Sequence, residues 1–236
     1  MTENSEIFKE DMEWICKADL PWEKLRDSTV LVTGGTGLIG MTVINALIRA
    51  GRERGLGLDV CAVVRDTEKA KRVLGRLVNA PELRLLAGTM QQLPSLPEKI
   101  DYWIHGACPT ASAFMNEHPV EVIRTSVEGT TGLLEEARKR STKGFLFLSS
   151  MEAFGEVNTE EALDEGTLGK IDLGKTRSCY PESKRMCEML CTSYAAEYGL
   201  PAMSIRLAQT FGPGVDYNDR RGVAMMTRNA IDGKDI

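Results

Sequence analysis

Histidine is nearly absent from this chain, His105 and His118 being its only two, and no two of its six cysteines (Cys16, Cys61, Cys108, Cys179, Cys187, Cys191) stand in CxxC spacing. A zinc site and a disulfide framework are therefore excluded as organising principles, no metal is expected, and most of the thiols read as small core residues. No apolar run approaches the ~20 residues a membrane-spanning helix needs. The start, Met1-Thr2-Glu3-Asn4-Ser5-Glu6, lacks the basic stretch and apolar core of a signal peptide, so a cytoplasmic protein without a membrane partner is expected. Basic excess is missing too: 29 Lys and Arg face 34 Asp and Glu for a net charge of -5, which gives no electrostatic reason to expect nucleic acid. Neither an internal repeat nor a low-complexity segment stands out.

What remains, in 236 residues, is an alternation of short apolar runs and helical periodicity. Strands are expected at 29–33, 60–64, 83–86, 102–105, 145–148 and 202–207, and helices at 38–49, 67–78, 120–140 and 178–198. Residues 5–20 carry Ile7, Phe8, Met12, Ile15 and Cys16 at helical spacing before Leu20-Pro21-Trp22 stops them, so 1–27 reads as a helical leader packed onto a main domain at 28–236. Repeated strand–helix units with continuous apolar strands imply an α/β fold, a doubly wound parallel sheet with helices on both faces. The polar stretch 155–176 reads as a mobile loop over a site.

Between the first strand and its helix lies Gly34-Gly35-Thr36-Gly37-Leu38-Ile39-Gly40. Glycines at 34, 37 and 40 allow a tight turn, close approach of backbone to a pyrophosphate, and close helix packing, and the helix N-terminus attracts negative charge. This predicts a Rossmann-type dinucleotide site lined by Gly34, Thr36, Gly37, Leu38, Ile39 and Gly40. The second strand ends in Val64-Arg65-Asp66: Arg65 suits the 2′-phosphate of NADP and Asp66 the ribose hydroxyl of NAD, so the cofactor is NAD or NADP. Farther on, Tyr180 and Lys184 are four residues apart on one helix, which places an ammonium beside a phenol and favours the phenolate that a base near neutrality requires.

Taken in order, the glycine turn, Ser149-Ser150-Met151-Glu152-Ala153-Phe154-Gly155, Tyr180-x-x-x-Lys184 and Arg206-Leu207-Ala208-Gln209-Thr210-Phe211-Gly212-Pro213 resemble the extended short-chain dehydrogenase/reductase family. More narrowly, residues 28–236 resemble its NAD-dependent epimerase/dehydratase group, which acts on nucleotide sugars. The resemblance implies that Ser150 hydrogen-bonds the reacting sugar oxygen, that Tyr180 is the general base or acid, and that Lys184 binds the nicotinamide ribose and lowers the tyrosine pKa. It also implies a nucleotide-diphosphate sugar as substrate, Ala107 of His105-Gly106-Ala107-Cys108 as a cofactor contact, Gln209 as a substrate-binding amide, and a homodimer. Members usually continue well beyond the length present here, which implies a truncated chain whose C-terminal substrate subdomain is largely missing.

Dehydratases of the group carry an Asp-Glu pair where this chain has Met151-Glu152, while Ser150-x-Glu152 with Cys179-Tyr180-Pro181-Glu182 is similar to the UDP-glucuronate decarboxylases. Epimerase, decarboxylase and dehydratase chemistry all stay open, with Glu152 a candidate catalytic carboxylate. Other departures are Gly88-Thr89-Met90, which lacks an acid often used to hold adenine, and Ser126 in place of a frequent asparagine. Two further readings stand beside the enzyme: a non-catalytic dinucleotide-binding sensor or scaffold, and an NADPH-dependent carbonyl reductase. His105 reads as a strand-end residue, Arg177 and Arg185 as solvated charges, and Met186, Leu190 and Tyr194 as packing.

Overall fold

The structure, a computed structural model, describes residues 5–236; the first four residues of the expected leader lie outside the described residues. Helix α1 (Glu6–Lys17) begins where the Ser5 hydroxyl accepts from the Phe8 N–H, and it buries Phe8, Met12 and Cys16 in a core shared with the next helix. After Pro21 a single 3-10 turn, Trp22–Leu25, is fastened by the Trp22 indole donating to the Ala18 carbonyl at 3.2 Å.

Strands β1 (Thr29–Thr33), β2 (Asp59–Val64), β3 (Leu83–Ala87), β4 (Tyr102–His105), β5 (Gly144–Ser150) and β6 (Ala202–Leu207) form one sheet in the order β3-β2-β1-β4-β5-β6, every pairing parallel. Parallel neighbours need crossovers, and these are α2 (Leu38–Arg54), α3 (Thr67–Leu74), α4 (Ser112–Glu117), α5 (Pro119–Lys139) and α6 (Cys179–Tyr198), with α7 (Gly222–Ile231) after β6. Because strand side chains alternate, Val30, Val32, Val60 and Ala62 join the core under α1–α3, while Leu31, Cys61, Trp103 and Phe145 join the core under α5 and α6. The expected doubly wound sheet is therefore present. Its strand order reverses between β1 and β4, where such sheets open a crevice at their carboxyl ends.

Several expected boundaries move. Helix α3 stops at Leu74 instead of continuing to 78, because Gly75 takes φ +55° and diverts the chain into a 3-10 turn. Helix α2 runs through Gly51 to Arg54 and ends at left-handed Gly55. The six-residue α4 carries no long periodic pattern and was not expected. The two ends of the loop expected to be mobile are held: Glu156 bridges Lys170, Gly169 N–H donates to the Phe154 carbonyl at 2.7 Å, and Arg185 donates to the carbonyls of Ala153, Phe154 and Gly169. Five of the six cysteines are buried and all are free. Among the described residues no helix is long and apolar enough to cross a membrane.

One buried acid joins the amino ends of the three central strands. Asp101, 4% exposed, accepts from the Thr29 N–H at 2.9 Å and pairs with Lys143 at 3.0 Å and Lys99 at 3.4 Å. Burial alone would raise its carboxyl, but the Thr29 N–H and the two ammoniums outweigh it and hold the group below the ordinary aspartate range. A depressed folded pKa gives stability above the unfolded value of about 3.9 that disappears as pH falls through the folded one. Asp101→Asn should thus cost about 2 kcal/mol near neutrality, leaving Thr29 and the lysines poorly answered. Urea denaturation across pH should show the gap closing toward acid; a gap independent of pH would show that the charge is not the cause.

Candidate active site

β1 delivers the chain into the glycine turn, and the three glycines have different duties. Gly34 holds φ +75°, and a Cβ there would lie 2.8 Å from the carbonyl carbon of Gly106. A Cβ on Gly40 would overlap the Gly34 carbonyl itself. Gly37 is exposed at the N-cap of the 17-residue α2, no side chain caps it, and a Cβ there would meet only the Gly34 oxygen at 3.3 Å. The protein's packing requires the outer two glycines, whereas the middle one leaves its outer side clear for an approaching group. The first N–H groups of a helix have no carbonyl partner within it, and those of α2 open beside Gly37 without a capping side chain. An uncapped, side-chain-free helix start fits a dinucleotide's pyrophosphate. Thr36, Leu38 and Ile39 are half-buried around it, Arg65 and Asp66 stand exposed just past β2, and Ala107 is half-buried beside Gly34.

A buried relay links this turn to α6. The Thr33 hydroxyl accepts from the N–H groups of Gly106 (3.2 Å) and Ala107 (3.1 Å), which takes up both its lone pairs, so its hydrogen points to His105 Nδ1 at 2.7 Å. His105 Nε2 must then carry the ring proton and donate to Thr130 at 3.0 Å; Thr130 donates to Cys187 Sγ at 3.2 Å, and that thiol to the Ser126 carbonyl at 3.4 Å. Burial, with repulsion from Lys184, pushes His105 down to about 3, so it stays neutral. It is more than a strand-end residue, since it fixes Ala107 relative to α6.

Ser150 is the last residue of β5, and its hydroxyl accepts from the Glu152 N–H at 3.2 Å to cap the 3-10 turn Met151–Phe154. Tyr180 and Lys184 lie in the first turns of α6, both buried, and the Ser150 hydroxyl stands near enough to the Tyr180 phenol to favour its ionised form. The three residues therefore converge. In the dinucleotide-free chain burial, followed by Cys108 and Glu152, pushes Tyr180 up to about 12 against the opposing influence of Ser150 and Arg177, so the lowering expected from Lys184 does not prevail there. Lys184 Nζ donates to the Leu148 carbonyl at 2.7 Å and sits 4.6 Å from the Phe147 ring centre, farther from the Tyr180 ring at 5.6 Å.

Glu152 faces the same space, bound to Arg177 at 2.9 Å, and the Arg177 guanidinium lies 5.6 Å from the Tyr180 ring centre. Arg177, expected to be solvated, is part of the site; its partner is 25 residues away, and no local spacing announces such a pair. Cys108 and Arg221 likewise stand close enough to exchange charge effects with Tyr180, Arg221 while held by Asp219 at 2.7 Å. Arg185 is structural, as described above. Arg206 forks onto Glu188, which also receives the Ser149 hydroxyl, locking β5, β6 and α6 together behind Ser150. Gln209 is exposed after β6, and no hydrogen bond connects it to the converging three among the described residues. Leu190 and Tyr194 pack on the core as expected, but Met186 is exposed. Among the described residues no three His, Cys, Asp or Glu side chains gather to hold a metal ion.

Two measurements examine this geometry. The difference between ultraviolet titrations of the dinucleotide-free chain and its Tyr180→Phe variant should show a phenol ionising near pH 12, and a midpoint at or below about 10 would mean that Lys184 does govern it. Nitrogen NMR of His105 should show a neutral ring protonated at Nε2 from about pH 5 to 8; the opposite tautomer, or titration in that window, would break the relay's direction.

Residues 30–236 match the model of the NAD dependent epimerase/dehydratase family. UDP-glucuronic acid decarboxylase 6 of Arabidopsis thaliana is 28% identical over 207 residues, covering 87% of this chain and 57% of that protein. UDP-glucuronic acid decarboxylase 1 of the same plant is 30% identical over 202 residues, covering 86% and 44%. The chain thus spans about half the length of these curated relatives. The structure of UDP-glucose 4-epimerase from Thermotoga maritima with UDP-glucose superposes with a TM-score of 0.70 at 25% identity, covering 88% of this chain and 64% of that one. That of dTDP-glucose 4,6-dehydratase from Bacillus anthracis in complex with NAD gives 0.69 at 20%, covering 88% and 62%, a likeness of fold. With the glycine turn, the strand order and the Ser150, Tyr180 and Lys184 convergence in place, the match over nearly the whole chain has one conclusion: the chain belongs to the NAD dependent epimerase/dehydratase family.

Proposed function

We propose that this chain is the dinucleotide-binding and catalytic part of an enzyme that oxidises a sugar hydroxyl of a nucleotide-diphosphate sugar and then reduces the product within the same cycle. The observation that carries the reading is the gathering of Ser150, Tyr180 and Lys184 around the carboxyl end of β5, in a parallel sheet whose strand order reverses at the glycine turn. The turn from Gly34 to Gly40, Ala107, Lys184 and the Arg65-Asp66 corner would hold the cofactor. When bound, the oxidised dinucleotide supplies a two-electron acceptor and a positive ring that favours the phenolate. Tyr180 takes the sugar hydroxyl proton at its phenolic oxygen, and Ser150 hydrogen-bonds the oxygen left behind. Ser150 and Arg177 already favour the ionised phenol, working against its burial.

Loss of carbon dioxide from a UDP-hexuronate is the favoured outcome. The relatives at 28% and 30% identity are named for that reaction, and Met151, 43% exposed, stands where water elimination would want an acid. Oxidation makes a ketone β to the carboxylate; the carbon–carbon bond then breaks with its electrons passing to the ketone oxygen, which Ser150 and the protonated Tyr180 stabilise. Epimerisation is the second reading, favoured by the likeness to the Thermotoga maritima epimerase. A homodimer through α5 and α6 is part of the proposal, supported by the exposed apolar side chains Ile123, Met186 and Met189 on those helices. A reducing, cytoplasmic setting accords with six free thiols, five of them buried.

The full-length enzyme of which this chain is proposed to be part, with added dinucleotide and incubated with UDP-, dTDP-, GDP- and CDP-sugars, should convert a UDP-hexuronate to a product lighter by carbon dioxide, read by mass and NMR, without net consumption of cofactor. Tyr180→Phe should cut conversion by about a hundredfold or more while leaving dinucleotide affinity nearly unchanged. Net consumption of NADPH would point instead to a carbonyl reductase, and bound dinucleotide without any product to a binding module.

A further inference from the structure

The corner after β2 decides which dinucleotide this crevice takes. β1 and β2 pair with Thr33 opposite Val63, so Arg65, directly past the end of β2, stands at the carboxyl edge beside the glycine turn that follows Thr33. Its side chain is exposed, and among the described residues its guanidinium makes no hydrogen bond or ion pair. The adjacent acid is differently placed. Asp66 is the N-cap of α3, accepts from the Lys69 N–H at 2.8 Å, and is held below the ordinary aspartate range first by that bond and then by the Glu68 N–H and the charges of Arg72 and Lys69. An acid that selects NAD accepts hydrogen bonds from the adenosine ribose hydroxyls. One Asp66 oxygen is engaged at the start of α3, where its loss would uncap the helix, which leaves the acid only its other oxygen to meet a ribose hydroxyl.

The other charges at this corner favour an anion. Glu68 is paired with Lys71 at 2.7 Å, while Lys69 and Arg72 on α3 are exposed. A planar guanidinium without a protein partner, beside further cations, is matched by the oxygens of a phosphate monoester, which it can bind through two parallel hydrogen bonds. We propose that Arg65 is a specificity-determining residue that grips the 2′-phosphate of the adenosine ribose, so that this chain takes NADP in preference to NAD. In this it departs from family neighbours whose structures hold NAD. The inference rests on the dinucleotide reading of the glycine turn.

Calorimetry on the full chain with NADP+, NAD+, adenosine 2′,5′-bisphosphate and 5′-AMP tests it. NADP+ should bind at least about tenfold more tightly than NAD+, the bisphosphate should outcompete 5′-AMP, and Arg65→Ala should weaken NADP+ by about tenfold while changing NAD+ far less. Because Arg65 is exposed, the variant should keep the parent's circular dichroism and melting. Equal or tighter binding of NAD+ to the parent, or an unchanged preference in Arg65→Ala, would overturn the assignment of Arg65 and leave the dinucleotide site standing. No binding of any of the four ligands would overturn the site itself and the preference with it.

Discussion

At the carboxyl ends of β1 and β4 the backbone comes so close that only glycine fits, with Gly34 pressed against Gly106 and Ala107. Two strands diverging from that point must send their chains in opposite directions, one into α2 and the other towards α4 and α5. The crevice exists because of this divergence, and the buried hydroxyl and imidazole of Thr33 and His105 keep it at a fixed width. From there the line of donors through Thr130 and Cys187 reaches the helix that carries Tyr180 and Lys184. The glycine turn and the helix bearing Tyr180 and Lys184 are thereby held by one set of buried polar contacts, in a region where a missing partner would be expensive.

Much of the fold was legible because it is written in local pattern. The runs ending at Thr33, Val64 and His105 are short, apolar and followed by turn residues, and the parallel sheet follows from their alternation with helices. The Gly34, Gly37 and Gly40 spacing marked the tight turn at the head of α2, and the Tyr180 and Lys184 spacing placed both side chains on α6. What escaped was of two kinds. Short elements such as α4 carry too few residues for a period to emerge, and the helix expected to continue to 78 ends at Gly75, whose positive φ no periodicity announces. Pairs far apart in sequence, such as Glu152 with Arg177 or Arg206 with Glu188, leave no spacing to read. The phenol's environment was misjudged for a related reason: the helix places Lys184 near Tyr180, but the Leu148 carbonyl on a different element decides where the ammonium points.

The site balances opposing charges around one phenol. Burial and the carboxylate of Glu152 disfavour its ionisation, while Ser150 and Arg177 favour it, and Arg177 is itself held by Glu152. Removing either member of that pair therefore changes two influences on Tyr180 at once, and the variants should not behave additively.

Arg185 has a consequence for traffic through the site. One guanidinium on α6 holds three carbonyls of the segment from Ala153 to Gly169, so that flap is anchored to the helix bearing Tyr180 and Lys184. Movement of that segment away from α6, to admit or release a ligand, would first have to strip those bonds from the helix that carries Tyr180 and Lys184.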